Sequence, residues 1–315
     1  MEILSAEFLN RIINSRIFKF VVGEEADDSA SEFFIHEEAV TQLSKPLHGL
    51  LKGNFSEAQT ACTVWKDVSK DTFERLIQFA YTGDYSIPEP VNRRNDENGA
   101  VSSSREAEND SKILKEFEQH PEVFLTGPTE EDLDDAWGTW GIPKKDKKKK
   151  KTGTQGSFFL EKYPKWSGPR LAESFSLISY PLLAPRTYVC DLTLPFDKKR
   201  SYANILLCHA TMYVLGDLWM IETLKALALF KLHHDLCIFQ LDDTNAEDIL
   251  ELARFAYCEE GKGSEEGIGG LRGLVCQYMA SNAVVLSLDN RFMDLLEEGG
   301  QFVRDLWKFE VQRIH

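Results

Sequence analysis

Two short constellations in this sequence combine residue types and spacing that could do chemistry. The first is Phe55-Ser56-Glu57, in a loop just after a Leu-rich helical run. An apolar residue and an acid two positions apart can dock a partner. The ring fills an apolar pocket and the carboxylate meets a basic group. The plainer reading is a loop Phe folded onto its own core beside a solvated Glu, and spacing alone favours it. The second is a lysine run, Lys144, Lys145, Lys147, Lys148, Lys149, Lys150 and Lys151, which follows an acidic block at Glu130–Asp135. Such a run serves as a nuclear localisation signal or a weak polyanion contact. Its plainer reading is a solvated stretch whose charge the acidic block partly offsets. No aromatic stacking platform or recognition helix accompanies the lysines, so nucleic acid is not an expected partner.

Catalytic patterns are missing. The chain has no GxxxxGK followed by Ser or Thr, no GxGxxG, no GxSxG and no HExxH. His36-Glu37-Glu38 matches half of a zinc deaminase signature, but no P-C-x-x-C follows. His233 and His234 are adjacent, so on a helix they diverge and share a metal poorly. Each His is therefore read as a structural or surface residue. Gly261–Gly270 is read as a glycine-rich loop. Trp219, Trp307 and the Leu/Phe stripes around them could line a ligand pocket, but their helical spacing makes core packing the default. We therefore expect no enzymatic activity and no cofactor.

The 315 residues allow two domains or one domain with a long insert, and the hydrophobic fraction of 43% is ordinary for a globular chain. A net charge of −15 disfavours phosphate-neutralising contacts with nucleic acid and binding to anionic membrane surfaces. It suits protein partners. No window of 18 apolar residues occurs, and MEILSAEFLNRI lacks the basic start of a secretory leader. Cys62, Cys190, Cys208, Cys237, Cys258 and Cys276 include no Cys-x-x-Cys pair, which implies reduced, mostly buried thiols in cytosol or nucleus.

The elements that must position these residues follow from periodicity. Residues 4–14 carry Leu4, Phe8, Leu9 and Ile12 at helical spacing, with Ser5 as cap. Arg16–Gly23 and Phe33–His36 read as a hairpin. Glu37–Leu43 and Ser44–Lys52 read as two short helices, the second capped by Ser44 with Pro46 in its first turn and Leu47, Leu50 and Leu51 facing inward. Cys62–Val68 reads as a strand. Ser69 caps a helix bearing Phe73, Leu76, Ile77 and Ala80 that ends at Gly83. Residues 88–157 have too few periodic apolar residues to offset chain entropy, so disorder is expected. Residues 158–187 regain aromatics and are read as loop packing on the surface. From Tyr202 the chain is helical, with a turn at Gly216–Asp217, a helix capped by Thr244, and two final helices divided by Gly299–Gly300.

Taken together, Phe18–Gly23, Phe34-Ile35-His36, Ser44, Gly53-x-Phe55-x-Glu57-Ala58, Asp67-Val68, Phe73 and Tyr81-Thr82-Gly83-Asp84-Tyr85 resemble a BTB/POZ domain of the kind abundant in filamentous fungi. His209-Ala210, Met212–Asp217 and Leu224-Lys225 resemble its closing helices. Leu271-Arg272, Gln277-Tyr278 and Leu295–Val303 resemble the family's usual tail. The resemblance implies an α+β fold, a small sheet flanked by helices, with residues 1–87 forming the first part of the domain. Residues 88–187 would be an insertion, 188–243 the closing helices, and 244–315 a C-terminal helical extension.

The resemblance also implies a protein–protein interaction module. BTB domains commonly self-associate, partly through the N-terminal helix and first strand, so a homodimer is one expectation. Many recruit substrates to ubiquitin ligases by binding a cullin, and Phe55-x-Glu57 falls where such adaptors carry a cullin-contacting loop. This raises the docking reading of Phe55 and Glu57. A nuclear regulatory or self-assembling role is the alternative. The chain departs from the pattern at Arg16-Ile17, where many members carry Ser-Asp. That Asp shapes a charged pocket at the dimer interface of transcription-regulator members, so the resemblance does not extend to corepressor binding. No zinc finger, Kelch repeat or MATH-like domain accompanies the unit.

Overall fold

The computed structural model describes residues 6–23, 30–93, 171–181, 183, 197–242, 244–259 and 270–314. The chain begins with α1 (Ala6–Ile13), whose Ile12 is buried against Ala39 and Ala80 while Leu9 faces outward. The hairpin follows as β1 (Ile17–Val22) and β2 (Ser31–His36), paired antiparallel from Ile17↔His36 to Val22↔Ser31. Next come α2 (Glu37–Thr41), α3 (Lys45–Lys52) and α4 (Ser56–Thr60), then β3 (Cys62–Trp65) and α5 (Lys70–Thr82). β3 lies parallel to β1, giving a three-stranded sheet of order β2-β1-β3. A mixed α+β architecture is therefore established, with helices in the majority.

The expected caps are present. Ser44 Oγ accepts from Leu47 N at 3.3 Å, Ser69 Oγ accepts from Thr72 N at 3.2 Å, and Gly83 ends α5 at φ 72°. β3 stops at Trp65 rather than Val68, and Ala61 enters it from the left-handed region at φ 53°. One face of the sheet carries an aromatic cluster. The Phe20 ring lies 5.1 Å from Phe73 and 5.5 Å from Trp65. Trp65 stacks in turn on Trp219 at 4.8 Å with 10° between the planes.

Two-residue strands β4 (Val91–Asn92) and β5 (Arg200–Ser201) form an antiparallel ribbon. Between them in sequence, α6 (Leu171–Ser176) packs on a later helix, and its Phe175 is in the core. The stretch assigned to an insertion, 88–187, thus contributes β4 and α6 to the main body. Its aromatic part is not confined to the surface, since Phe175 sits 5.6 Å from the Tyr278 ring. The rest of that stretch, the lysine run included, lies outside the described residues.

The helical half comprises α7 (Ala203–Leu218), α8 (Glu222–Ile238), α9 (Ala246–Glu259), α10 (Gly270–Ser281), α11 (Ala283–Leu286), α12 (Asn290–Glu298) and α13 (Gly300–Ile314). α8 is buried on nearly all sides, which makes it a central helix rather than an amphipathic surface one. It packs on α7 and α10, and α7 also meets α5 and α9.

Four sequence expectations differ from the structure. α7 runs through Gly216 and Asp217, and the turn falls at Trp219-Met220, with Met220 at φ 53°. Gly216 is a glycine because α8 backs onto it: a Cβ there would lie 3.0 Å from Lys225 Cγ and 3.2 Å from Lys225 N. Thr244 does not cap α9, which starts at Ala246. The Thr244 hydroxyl donates instead to Asp242 Oδ1 at 2.6 Å. Trp307 is not core, being 64% exposed on α13. Nor are the thiols mostly buried. Cys276 is, but Cys62 and Cys208 are half-buried, and Cys237 and Cys258 are exposed.

Candidate functional site

Phe55 and Glu57 sit together on an exposed ledge between α3 and β3. The link from α3 is tight: a Cβ on Gly53 would come within 2.3 Å of Gly49 O, so only glycine fits there. Phe55 is the N-cap residue of α4 and is 46% exposed, so the ring does not fold back onto the core. Glu57 lies in the first turn of α4, where the helix dipole favours an acid. Ser56 Oγ donates to Glu57 Oε2 at 3.0 Å, and Gln59 Nε2 donates to Asn54 O at 3.4 Å. The ledge is therefore a short helix start rather than an open loop.

Arg16 brackets this segment from below. Its Nη2 donates to Leu51 O at 3.1 Å and its Nη1 to Ala58 O at 2.9 Å. Its fork also grips Glu37, with Nε to Oε2 at 3.1 Å and Nη2 to Oε1 at 3.3 Å. A neighbouring carboxylate, Glu38, is bonded by Lys52 and Arg11, and those bonds hold its pKa below the usual glutamate value.

A second constellation is deeply buried. The Tyr85 hydroxyl lies 2.8 Å from His209 Nδ1, and His209 Nε2 lies 2.9 Å from Asp235 Oδ2. The ionised Asp235 can only accept, so His209 Nε2 carries the proton and Nδ1 accepts from Tyr85. His234 Nδ1 reaches the second Asp235 oxygen at 3.3 Å. Beside them Lys231, on the same face of α8 as Asp235, sends its ammonium to Asp84 Oδ1 at 2.7 Å and Tyr85 O at 2.6 Å. That ammonium also stands 4.5 Å from the Tyr85 ring centroid.

The order Tyr–His–Asp looks like a relay for a nucleophile, yet its electrostatics oppose that use. Burial pushes the Tyr85 phenol well above its ordinary value, with the nearby Cys208 and Asp235 adding to the rise. Burial likewise lowers His209, which stays neutral, and lifts the Cys208 thiol to about 11. Burial acts against the Asp235 carboxylate, but hydrogen bonds from His209 and His234 outweigh it and leave its pKa lowered. Every proton already sits where its hydrogen bond needs it, so the arrangement is a lock joining the end of α5 to α7 and α8.

The other paired groups are likewise engaged in hydrogen bonds between elements. Cys237 Sγ lies 3.4 Å from His233 Nε2, but that nitrogen donates to Phe175 O at 2.8 Å and so cannot take the thiol proton. Asp248 accepts from Arg93 at 2.8 Å, Ser201 Oγ at 2.9 Å and Tyr202 N at 2.9 Å, tying the β4–β5 ribbon to α9. Asp305 accepts from Gln301 at 2.9 Å, Lys308 at 3.2 Å and Tyr257 at 3.3 Å. Among the described residues no three His, Cys, Asp or Glu side chains gather into a group able to hold a metal.

His36 Nδ1 lies 2.9 Å from the Tyr81 hydroxyl, which joins β2 to α5. The Tyr85–His209–Asp235–Lys231 lock leaves a signal in the sequence that matches no catalytic motif. Lys231 and Asp235 are charged and four residues apart in the Leu- and Ala-rich run of α8, and buried charges must be partnered. No family model, curated protein or solved structure matches this chain.

Proposed function

We propose that this chain is a non-enzymatic protein–protein interaction module with a BTB/POZ fold, and that its Phe55–Glu57 ledge docks a protein partner. A small sheet of order β2-β1-β3 flanked by helices supports the fold reading. One observation carries the docking reading. A large aromatic is held at the surface, two residues from a carboxylate, on a segment fixed at both ends by hydrogen bonds to Arg16. Rigid presentation lowers the ordering cost of binding, and an aromatic anchor beside an acid suits an apolar socket rimmed by a basic group.

The BTB/POZ resemblance narrows the partner to a cullin scaffold, with the chain acting as adaptor. Purified protein is expected to bind the N-terminal domain of a fungal cullin in calorimetry. Phe55→Ala combined with Glu57→Ala is expected to weaken binding at least a hundredfold, the scale of two anchor losses. No binding by the intact protein would sink the adaptor role.

A second reading, self-assembly, has its own observation. Leu9, Ile13 and Ile17 are all exposed along α1 and the start of β1, and Phe34 is exposed on β2. Light scattering at micromolar concentration should give a dimer mass, and Ile13→Lys should return it to a monomer mass. A monomer mass for the unmodified protein rejects this reading.

A further inference from the structure

We infer that Arg16 is the positioning residue of the Phe55–Glu57 ledge; the inference rests on the docking reading above and adds the part that holds the ledge in register. Four hydrogen bonds leave one guanidinium. Two go to carboxylate oxygens of Glu37, which is buried at the start of α2. The other two go to backbone carbonyls seven residues apart, Leu51 and Ala58, and the ledge lies between them.

Both carbonyls belong to the last turns of short helices, α3 and α4, where the helix itself supplies no donor. A cation at such a helix end is favourable, and a planar fork can serve two carbonyls and a carboxylate at once. Arg16 is anchored by its own backbone as well, since its carbonyl accepts from Glu37 N at 2.8 Å. The guanidinium therefore transmits the position of β1 and α2 to both ends of the ledge. Lysine could keep the charge but not the geometry, because an ammonium on a flexible stem cannot span Leu51 O, Ala58 O and both Glu37 oxygens. Among the described residues the other side-chain bonds at the ledge are the Lys52–Glu38 pair at the end of α3 and the local ones of Ser56, Gln59 and Thr60, and none of these joins its two ends.

The test compares Arg16→Gln and Arg16→Lys with the unmodified protein by hydrogen exchange and by cullin-domain affinity. Exchange of the amides of residues 53–60 should rise about tenfold in both variants, as expected for losing charge-assisted bonds. Amides of β1 and α5 should stay protected. Affinity should fall about tenfold in each, and Arg16→Gln added to Phe55→Ala and Glu57→Ala should cost nothing further. Unchanged exchange at residues 53–60 overturns the inference. So does a rise spread evenly over β1, β3 and α5, which would mark Arg16 as a general stabiliser. The exchange result judges Arg16 without any partner. If the Phe55→Ala, Glu57→Ala protein binds the cullin domain normally, it is the docking reading that fails.

Discussion

At the scale of single residues, the buried lock ties the end of α5 to α7 and α8 through side chains and one backbone carbonyl. Replacing Tyr85 by Phe would leave His209 Nδ1 without a donor in a site closed to water, at a cost of about 1–3 kcal/mol of unfolding free energy. Urea titration checks this, and an unchanged midpoint would show that the bond contributes nothing. The lock also sets a pH response. His209 has a folded pKa below its ordinary 6.5, so its neutral form is the one that fits the fold. Its contribution is complete above 6.5 and is lost as pH falls through the lowered folded value. Asp235, lowered from 3.8, acts in the same direction at more acid pH. The urea midpoint should hold steady above pH 6.5 and decline below it, and His209→Gln should flatten the upper part of that decline. These residues were hard to read from sequence because their partners lie far along the chain: Tyr85 and His209 are 124 positions apart.

At the scale of elements, local sequence was a good guide wherever capping and periodicity act alone. Ser44, Ser69 and Gly83 mark their helix ends as their side chains and backbone require. The readings that failed were those where tertiary packing overrides a local signal. Gly216 looks like a turn but is a contact point between α7 and α8, and Trp307 has core-like spacing but faces solvent. Two glycines of α3 and its exit make a contrast that can be measured. Gly49 has open space where a Cβ would stand, so Gly49→Ala should stabilise by about 0.5–1 kcal/mol through better helix propensity. Gly53→Ala drives a methyl into Gly49 O and should destabilise by about 1–3 kcal/mol. Thermal melts of the two variants should move in opposite directions. Of the ledge itself, sequence supplied the residue types of Phe55 and Glu57, while their proposed docking role comes from the resemblance. In sequence Arg16 stands out only as a departure from the family pattern, because its contacts are carbonyls at Leu51 and Ala58 that no side-chain pattern encodes.

At the scale of the whole molecule, the sheet half and the helical half share one core. Trp65 stacks on Trp219, Lys231 holds Asp84 and Tyr85, and Arg93 is bonded to Asp248 and the Thr244 carbonyl. A protease site placed between residues 94 and 170 should therefore cut the chain without parting it. The two fragments should co-elute in size exclusion and unfold together in urea, whereas fragments that separate in native buffer would refute a shared core. The same Trp65–Trp219 stack has a consequence for synthesis. When residue 93 leaves the ribosome, Phe73, Tyr85 and Trp65 are already made but the helices that cover them are not. The 145 residues from 94 to the end of α8 at Ile238 (238 − 93) take roughly 7–30 s at ordinary elongation rates. For that interval the nascent chain presents an uncovered aromatic surface, so the yield of folded protein is expected to change with how fast the middle of the message is read.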